Sequence, residues 1–263
     1  MKRSDFMKIY EKMHHIQCQE SDIGKYVLLP GDPGRVSEIA KGLENAKRVA
    51  SNREYVTYTG TLDGVKVSVT STGIGGPSAA IALEELVKLG AHTFIRVGTC
   101  GGIDSSLEPG SLIIATAAIR KEGTTSEYIP IEFPAVGNFE LLNALNDAAH
   151  KLNYKSYLGI VESKDSYYGQ HDPEKMPNAA ILKQKWEAWK AGGALASEME
   201  TSALYIISTI RRVRCGSILL LIRNREKENL ENTLPIISED NTNLLETAIA
   251  GMREIIRRDK ENQ

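Results

Sequence analysis

Short apolar runs, each closed by a glycine-rich turn and followed by a helical repeat, recur along this chain and restrict its fold more than any other feature. The run at 26–29 ends in Pro-Gly-Asp-Pro-Gly, and the run at 93–97 ends in Gly98-Thr99-Cys100-Gly101-Gly102. The runs at 112–119 and 217–222 are too apolar for strands with one wet face. Val36, Ile39, Ala40 and Leu43 fall at helical spacing, as do Ala79, Leu83, Leu86 and Val87 before Gly90. Further helices are predicted over about 139–152, around Trp186 and Trp189, from about Glu198 onward, and over 241–257. Tyr55 to Tyr58 and Val65 to Val69 read as a hairpin turning near Asp63-Gly64. A strand at 157–161 leads into a polar loop at 163–177.

Strands alternating with helices imply an α/β domain with a mostly parallel sheet covered on both faces. The 263 residues suit one such domain, with an N-terminal arm at about 1–24 and a frayed tail at about 259–263. Ligands in such folds bind where strands end, which directs attention to the loops at 30–35, 71–78, 98–102, 163–175 and 223–229.

Composition narrows the class of function. The 32 Lys+Arg against 34 Asp+Glu argue against nucleic-acid binding by bulk charge. No apolar run is long enough to span a membrane, and MKRSDFMKIYEKMHH has no apolar signal core, so a cytoplasmic protein is expected. Three cysteines, Cys18, Cys100 and Cys215, form neither a disulfide framework nor a zinc pattern.

Gly73-Ile74-Gly75-Gly76-Pro77-Ser78 sits between strand and helix as a dinucleotide fingerprint would, but Ser78 takes the third glycine position. A tight turn for close backbone packing explains it equally well. Arg96, inside Phe94-Ile95-Arg96-Val97, is more telling. A guanidinium in a doubly buried strand needs a carboxylate or an anion. Arg35 follows a strand end; Ala196-Ser197-Glu198-Met199-Glu200 sets two acids at a helix start. The acids suit either the helix dipole or sugar hydroxyls.

Together, seven segments resemble the nucleoside phosphorylase family in its uridine-cleaving pattern: GDPGR at 31–35, SNREY at 51–55, STGIGGPS at 71–78, FIRVGTCGG at 94–102, EFPAV at 132–136, YYGQ at 167–170 and SEMET at 197–201. They occur in family order from about residue 15 to residue 225. The resemblance implies a single domain with a central mixed twisted sheet flanked by helices. It implies phosphorolysis of uridine to uracil and ribose 1-phosphate, with a purine or broad-specificity phosphorylase as the alternative. No cofactor is implied; inorganic phosphate is the co-substrate.

By resemblance, Gly31, Arg35, Arg96, Gly98 and Thr99 hold phosphate, and Arg53 reaches in from the neighbouring subunit. Ribose falls to Glu198, Met199, Glu200 and Thr99, with His15 donated across a dimer. The base falls to Tyr167, Gln170, Ile222 and Arg225. Sites shared between two copies imply a homodimer unit, with a homohexamer expected, and no nucleic-acid or membrane partner. Glu54, Ile74 and Ser78 match positions that hold a monovalent cation, potassium, at the dimer interface of some relatives.

Three departures stand out. Tyr167 replaces the usual Phe. The Arg usually near Gln170 is missing, with Lys175 the expected substitute. Asn224 stands where purine-cleaving relatives carry an acid, which favours a pyrimidine.

Overall fold

The computed structural model describes residues 12–262. Ten strands form one sheet: β1 (Tyr26–Pro30), β2 (Glu44–Asn52), β3 (Tyr55–Leu62), β4 (Val65–Thr70), β5 (Thr93–Gly102), β6 (Leu112–Lys121), β7 (Ala135–Val136), β8 (Ser156–Lys164), β9 (Ala196–Glu198) and β10 (Arg214–Arg223). The helices are α1 (Pro33–Ala40), α2 (Gly76–Lys88), α3 (Phe139–Lys151), α4 (Tyr167–His171), α5 (Ala179–Ala191), α6 (Thr201–Arg211), α7 (Arg225–Glu231) and α8 (Thr242–Glu261).

The sheet order is β10-β6-β8-β9-β5-β1-β4-β3-β2, and β10 also pairs with β5. The sheet is mixed, as the resemblance implied, rather than mostly parallel. β1 pairs in parallel with β4 and β5, and β10 pairs in parallel with β5. β2–β3, β3–β4, β5–β9 and β6–β10 are antiparallel. One apolar cluster, holding Leu83, Leu86 and Phe94, joins the sheet to α2 and α6 through Leu204 and Ile207. The other, holding Ile95, Val97 and Ile218, joins it to α1, α3 and α8 through Val36, Leu145 and Met252. Burial on both faces is why these strands read as unbroken apolar runs.

The sequence pattern does not show β2, whose residues are largely exposed and which, among the described residues, pairs with β3 alone. An edge strand with one hydrogen-bonded neighbour needs no apolar pattern. The polar loop after β8 contains α4 and a 3-10 turn at Pro173–Lys175. Ser166 caps α4 by accepting the Gly169 N–H at 2.9 Å. Helix α8 continues past the expected end at 257 to Glu261, and Asp259 accepts hydrogen bonds from Arg214 and from the Tyr26 hydroxyl at 2.7 Å. Within the N-terminal arm, residues 1–11 lie outside the described part. Ile16 and Cys18 are buried in the core.

Candidate active site

The C-terminal ends of β1, β5, β8 and β10 surround a cavity of about 1100 Å³. This is the strand-end location that the parallel pairing favours. Gly31, Arg35, Arg96, Gly98, Thr99, Tyr167, Gln170, Glu198, Met199, Glu200, Ile222 and Arg225 all line it. Residues up to 194 positions apart in sequence therefore converge on one space, from Gly31 to Arg225.

Arg35 comes from the first turn of α1. Asp32 accepts the Gly34 N–H at 2.8 Å, and Pro33 starts the helix. The Arg35 Nε is buried and has no partner among the described residues. Burial lowers its pKa, countered by Asp32.

Arg96 is 3% exposed on β5. Its Nε donates to Glu198 Oε2 at 2.9 Å, and its Nη2 lies 2.5 Å from Glu200 Oε2. Its Nη1 is buried without a partner among the described residues. Burial opposes the charge, but Glu200 and Glu198 outweigh it and keep the guanidinium protonated above its ordinary range. Gly98 makes room: a Cβ there would lie 2.8 Å from the Arg96 Cζ. The sequence reading left Arg96 with two options, carboxylate or anion. The structure shows the carboxylates and leaves one guanidinium nitrogen over.

Glu198, expected at the sugar, is turned inward. Its carboxylate accepts from Arg96, from the N–H groups of Glu200 and Thr201, and from the Ser163 hydroxyl. These donors converge on its carboxylate and tie it to Arg96. Glu200 accepts the Gly75 N–H at 2.5 Å. Gly75 has φ +90, which lets the backbone point that N–H into the site. Burial raises the Glu200 pKa, against the pull of Arg96.

Tyr167 and Gln170 reach the cavity from α4, and the Arg225 Nη1 donates to the His171 carbonyl at 2.9 Å. The Gln170 amide lies against the Ser197 hydroxyl at 2.8 Å. Lys175 does not line the cavity; it is exposed and lies 3.5 Å from Asp172. The lysines that do line it are Lys121, Lys164 and Lys183. Lys164 is 3% exposed. Sequence reasoning missed it because a lysine at the end of a half-polar strand normally reaches solvent.

Asn224 is also turned away. Its Nδ2 donates to the carbonyls of Asp104 and Leu107 at 2.8 and 2.9 Å, and its Oδ1 accepts the Lys227 N–H. The residue that was read as a missing acid braces the turn from β10 into α7.

Glu54, Ile74 and Ser78 meet at the cavity lip. Ser78 Oγ lies 2.9 Å from Glu54 Oε1, and Ile74 is 77% exposed. Arg53 is exposed with φ +53 and does not line the cavity. His15 is also outside it, beside a separate hollow, where its Nδ1 lies 2.7 Å from Glu85.

The phosphorylase superfamily model matches residues 25–250. The chain belongs to the phosphorylase superfamily. The match spans every strand of the sheet and all the cavity-lining elements of this superfamily member. The chain is 51% identical over 248 residues to a uridine phosphorylase of Treponema pallidum (strain Nichols), covering 94% of this chain and 95% of that one. It is 36% identical to a uridine phosphorylase of Escherichia coli (strain K12), covering 83% and 88%. It is 34% identical to a guanosine phosphorylase of Halorubrum lacusprofundi, covering 88% and 93%. Among the described residues, no helix is long and apolar enough to cross a membrane.

Proposed function

We propose that this superfamily member is a uridine phosphorylase that splits uridine with inorganic phosphate, reversibly, into uracil and ribose 1-phosphate. One observation carries the phosphate half: two guanidinium groups on one cavity, Arg35 and Arg96, each keep a buried N–H without a partner among the described residues. Unmet buried donors on cationic groups call for an anion. The uridine phosphorylase relatives and the Gln170 amide on the same cavity support the pyrimidine half.

The chemistry follows from that layout. A phosphate oxygen forms its bond to C1′ as the C1′–N1 bond breaks, and the bonding pair leaves with the base. Sugar cation character builds at C1′ between the two events. Phosphate held by Arg35, Arg96, the Gly31 and Gly98 backbone and Thr99 supports that charge from one face. Glu200 and Met199 take the ribose, Glu200 by accepting from its hydroxyls. Tyr167, Gln170, Ile222 and Arg225 bracket the base, and hydrogen bonds there disperse the leaving charge. No covalent intermediate with the enzyme is needed, since orientation of two bound substrates supplies much of the acceleration.

His15 and Arg53 complete the site of a second copy, so the working unit is a two-fold pair, assembled further into a hexamer. Both side chains stand outside this chain's own cavity, which supports that reading. Glu54 and Ser78 offer adjacent oxygens suited to a hard monovalent cation such as potassium, with the matching pair from the second copy. In that place the ion would hold the interface. Localisation is cytoplasmic.

The test is release of uracil from uridine with and without phosphate, with inosine and thymidine run in parallel. Phosphate-dependent uracil release is expected. Inosine cleavage far faster than uridine cleavage would establish the purine alternative, and cleavage without phosphate would make the protein a nucleosidase. Mixed oligomers carrying His15→Ala in one subunit should lose the partner's site.

A further inference from the structure

Around Gln170 lies a largely buried polar cluster, reaching the cavity through Lys121, Lys164 and Ser197, that the reaction as described leaves unused. Glu162, on β8, is fully buried. Its carboxylate lies 3.0 Å from Lys121 Nζ and accepts from Trp189 Nε1 at 3.2 Å and from Ser197 Oγ at 2.6 Å. Lys164, two residues further on, donates from Nζ to the same Ser197 Oγ at 2.7 Å. The third neighbour of that hydroxyl is the Gln170 amide, with Oε1 at 2.8 Å.

A hydroxyl carries one proton and two acceptor sites. The Lys164 ammonium can only donate, so it occupies one acceptor site. The Glu162 carboxylate can only accept, so it takes the proton. A charged acceptor at 2.6 Å outcompetes a neutral amide oxygen at 2.8 Å for it. Gln170 is then left with an acceptor site and must present a donor to it. An amide supplies one by a half-turn that exchanges its oxygen and nitrogen and shifts nothing else.

We propose that Glu162, Lys164 and Ser197 act as a positioning relay that locks the Gln170 amide with its nitrogen on Ser197 and its carbonyl oxygen toward the base. This rests on the reading that Gln170 meets the base edge. An acceptor facing the cavity, with the second amide N–H beside it, matches a ring N–H flanked by a carbonyl, as at N3 of uracil. It repels a ring nitrogen with a lone pair, as at N3 of cytosine. The relay therefore sets selection of uridine over cytidine through the orientation of the Gln170 amide. The nearest comparison is a site that rejects an analogue by leaving buried polar groups unmatched.

Two variants separate this from a packing role. Ser197→Ala removes the hydroxyl and frees the amide to turn. Glu162→Gln keeps the shape but supplies a donor, which returns the Ser197 proton to Gln170 and turns the amide the other way. Steady-state kcat and KM would be measured for uridine, cytidine and 3-methyluridine in the wild type and both variants. The expected result is a wild type that prefers uridine, with the uridine-to-cytidine ratio of kcat/KM falling at least about 10-fold in each variant, and in Glu162→Gln partly through a gain on cytidine. 3-Methyluridine, which lacks the N3 donor, should be discriminated against less in the variants. A ratio that stays constant while all rates fall together would overturn the relay and leave these residues merely structural. If one variant fails to fold, the other carries the same comparison. A wild type that does not release uracil from uridine strikes the substrate reading itself, an outcome visible before any variant is made.

Discussion

Arg96 Nε donates to Glu198 Oε2 at 2.9 Å, a bond between residues 102 positions apart in sequence. The carboxylate fixes the plane of the guanidinium, and the plane decides where the unpartnered Nη1 points. The Glu198 carboxylate is thus taken up by Arg96 and by backbone N–H groups, although it sits beside Glu200 in the same short segment and reads identically in sequence.

Arg96→Ala should lower kcat/KM by roughly 30- to 1000-fold, or about 2–4 kcal/mol, as expected for losing one strong electrostatic donor. It also strands two buried carboxylates, so Tm should fall. Glu198→Gln should raise the KM for phosphate, because an amide cannot accept from every donor that now converges there. A near-normal rate in Arg96→Ala would remove the phosphate assignment. Steady-state kinetics with thermal melts measure both effects.

Arg35→Ala should separate function from stability in the opposite sense. Its Nε has no partner among the described residues and burial already disfavours its charge, so Tm in phosphate-free buffer should hold or rise. Phosphate should stabilise the wild type, by about 2.7 kcal/mol at a hundred times its Kd, and should stabilise the variant far less. Equal phosphate-induced shifts in both proteins would show that Arg35 does not bind the anion.

Asn224→Asp tests whether an acid at this position can recruit purines. The variant should gain no inosine cleavage. It should lose stability by about 1–3 kcal/mol, since the carboxylate cannot donate to the carbonyls of Asp104 and Leu107. Denaturant melts and inosine turnover report the two halves. A rise in inosine turnover would mean that the side chain swings into the cavity.

His171 predicts an acid limb in stability. Burial, reinforced by Arg225 and Lys164, lowers its pKa to about 4 from an ordinary 6.5. Between those values the unfolded chain binds a proton that the folded chain does not, so stability rises with pH across the window and is lost as pH falls from 6.5 to about 4. In His171→Asn the Tm should fall less steeply between pH 6.5 and pH 4.5. A slope equal to that of the wild type would take His171 out of the proton balance.

The strands buried on both faces, the turns that close them and the suspicion attached to Arg96 were all legible in the chain, because each follows from a local rule. An apolar run must be covered, glycine and proline break regular structure, and a charge inside a core must be answered. β2 escaped because ENAKRVASN carries no apolar period, and its pairing with β3 is a matter of backbone hydrogen bonds. The end of α8 escaped because its anchor, Arg214, lies 45 residues away from Asp259.

Which donors each carboxylate meets, which lysine is buried and which way Asn224 points could be decided only in three dimensions. Glu198 and Glu200 are told apart by the donors that converge on each, among them Ser163 on a neighbouring strand for Glu198 and the Gly75 N–H for Glu200. Lys164 is held by Ser197 on a neighbouring strand, and Asn224 by a loop some 120 residues earlier. The amino-acid sequence determines which groups can ionise, donate or accept. Their roles depend on distance, because hydrogen bonds and charge pairs act over a few ångströms and take no account of how far apart the partners lie along the chain.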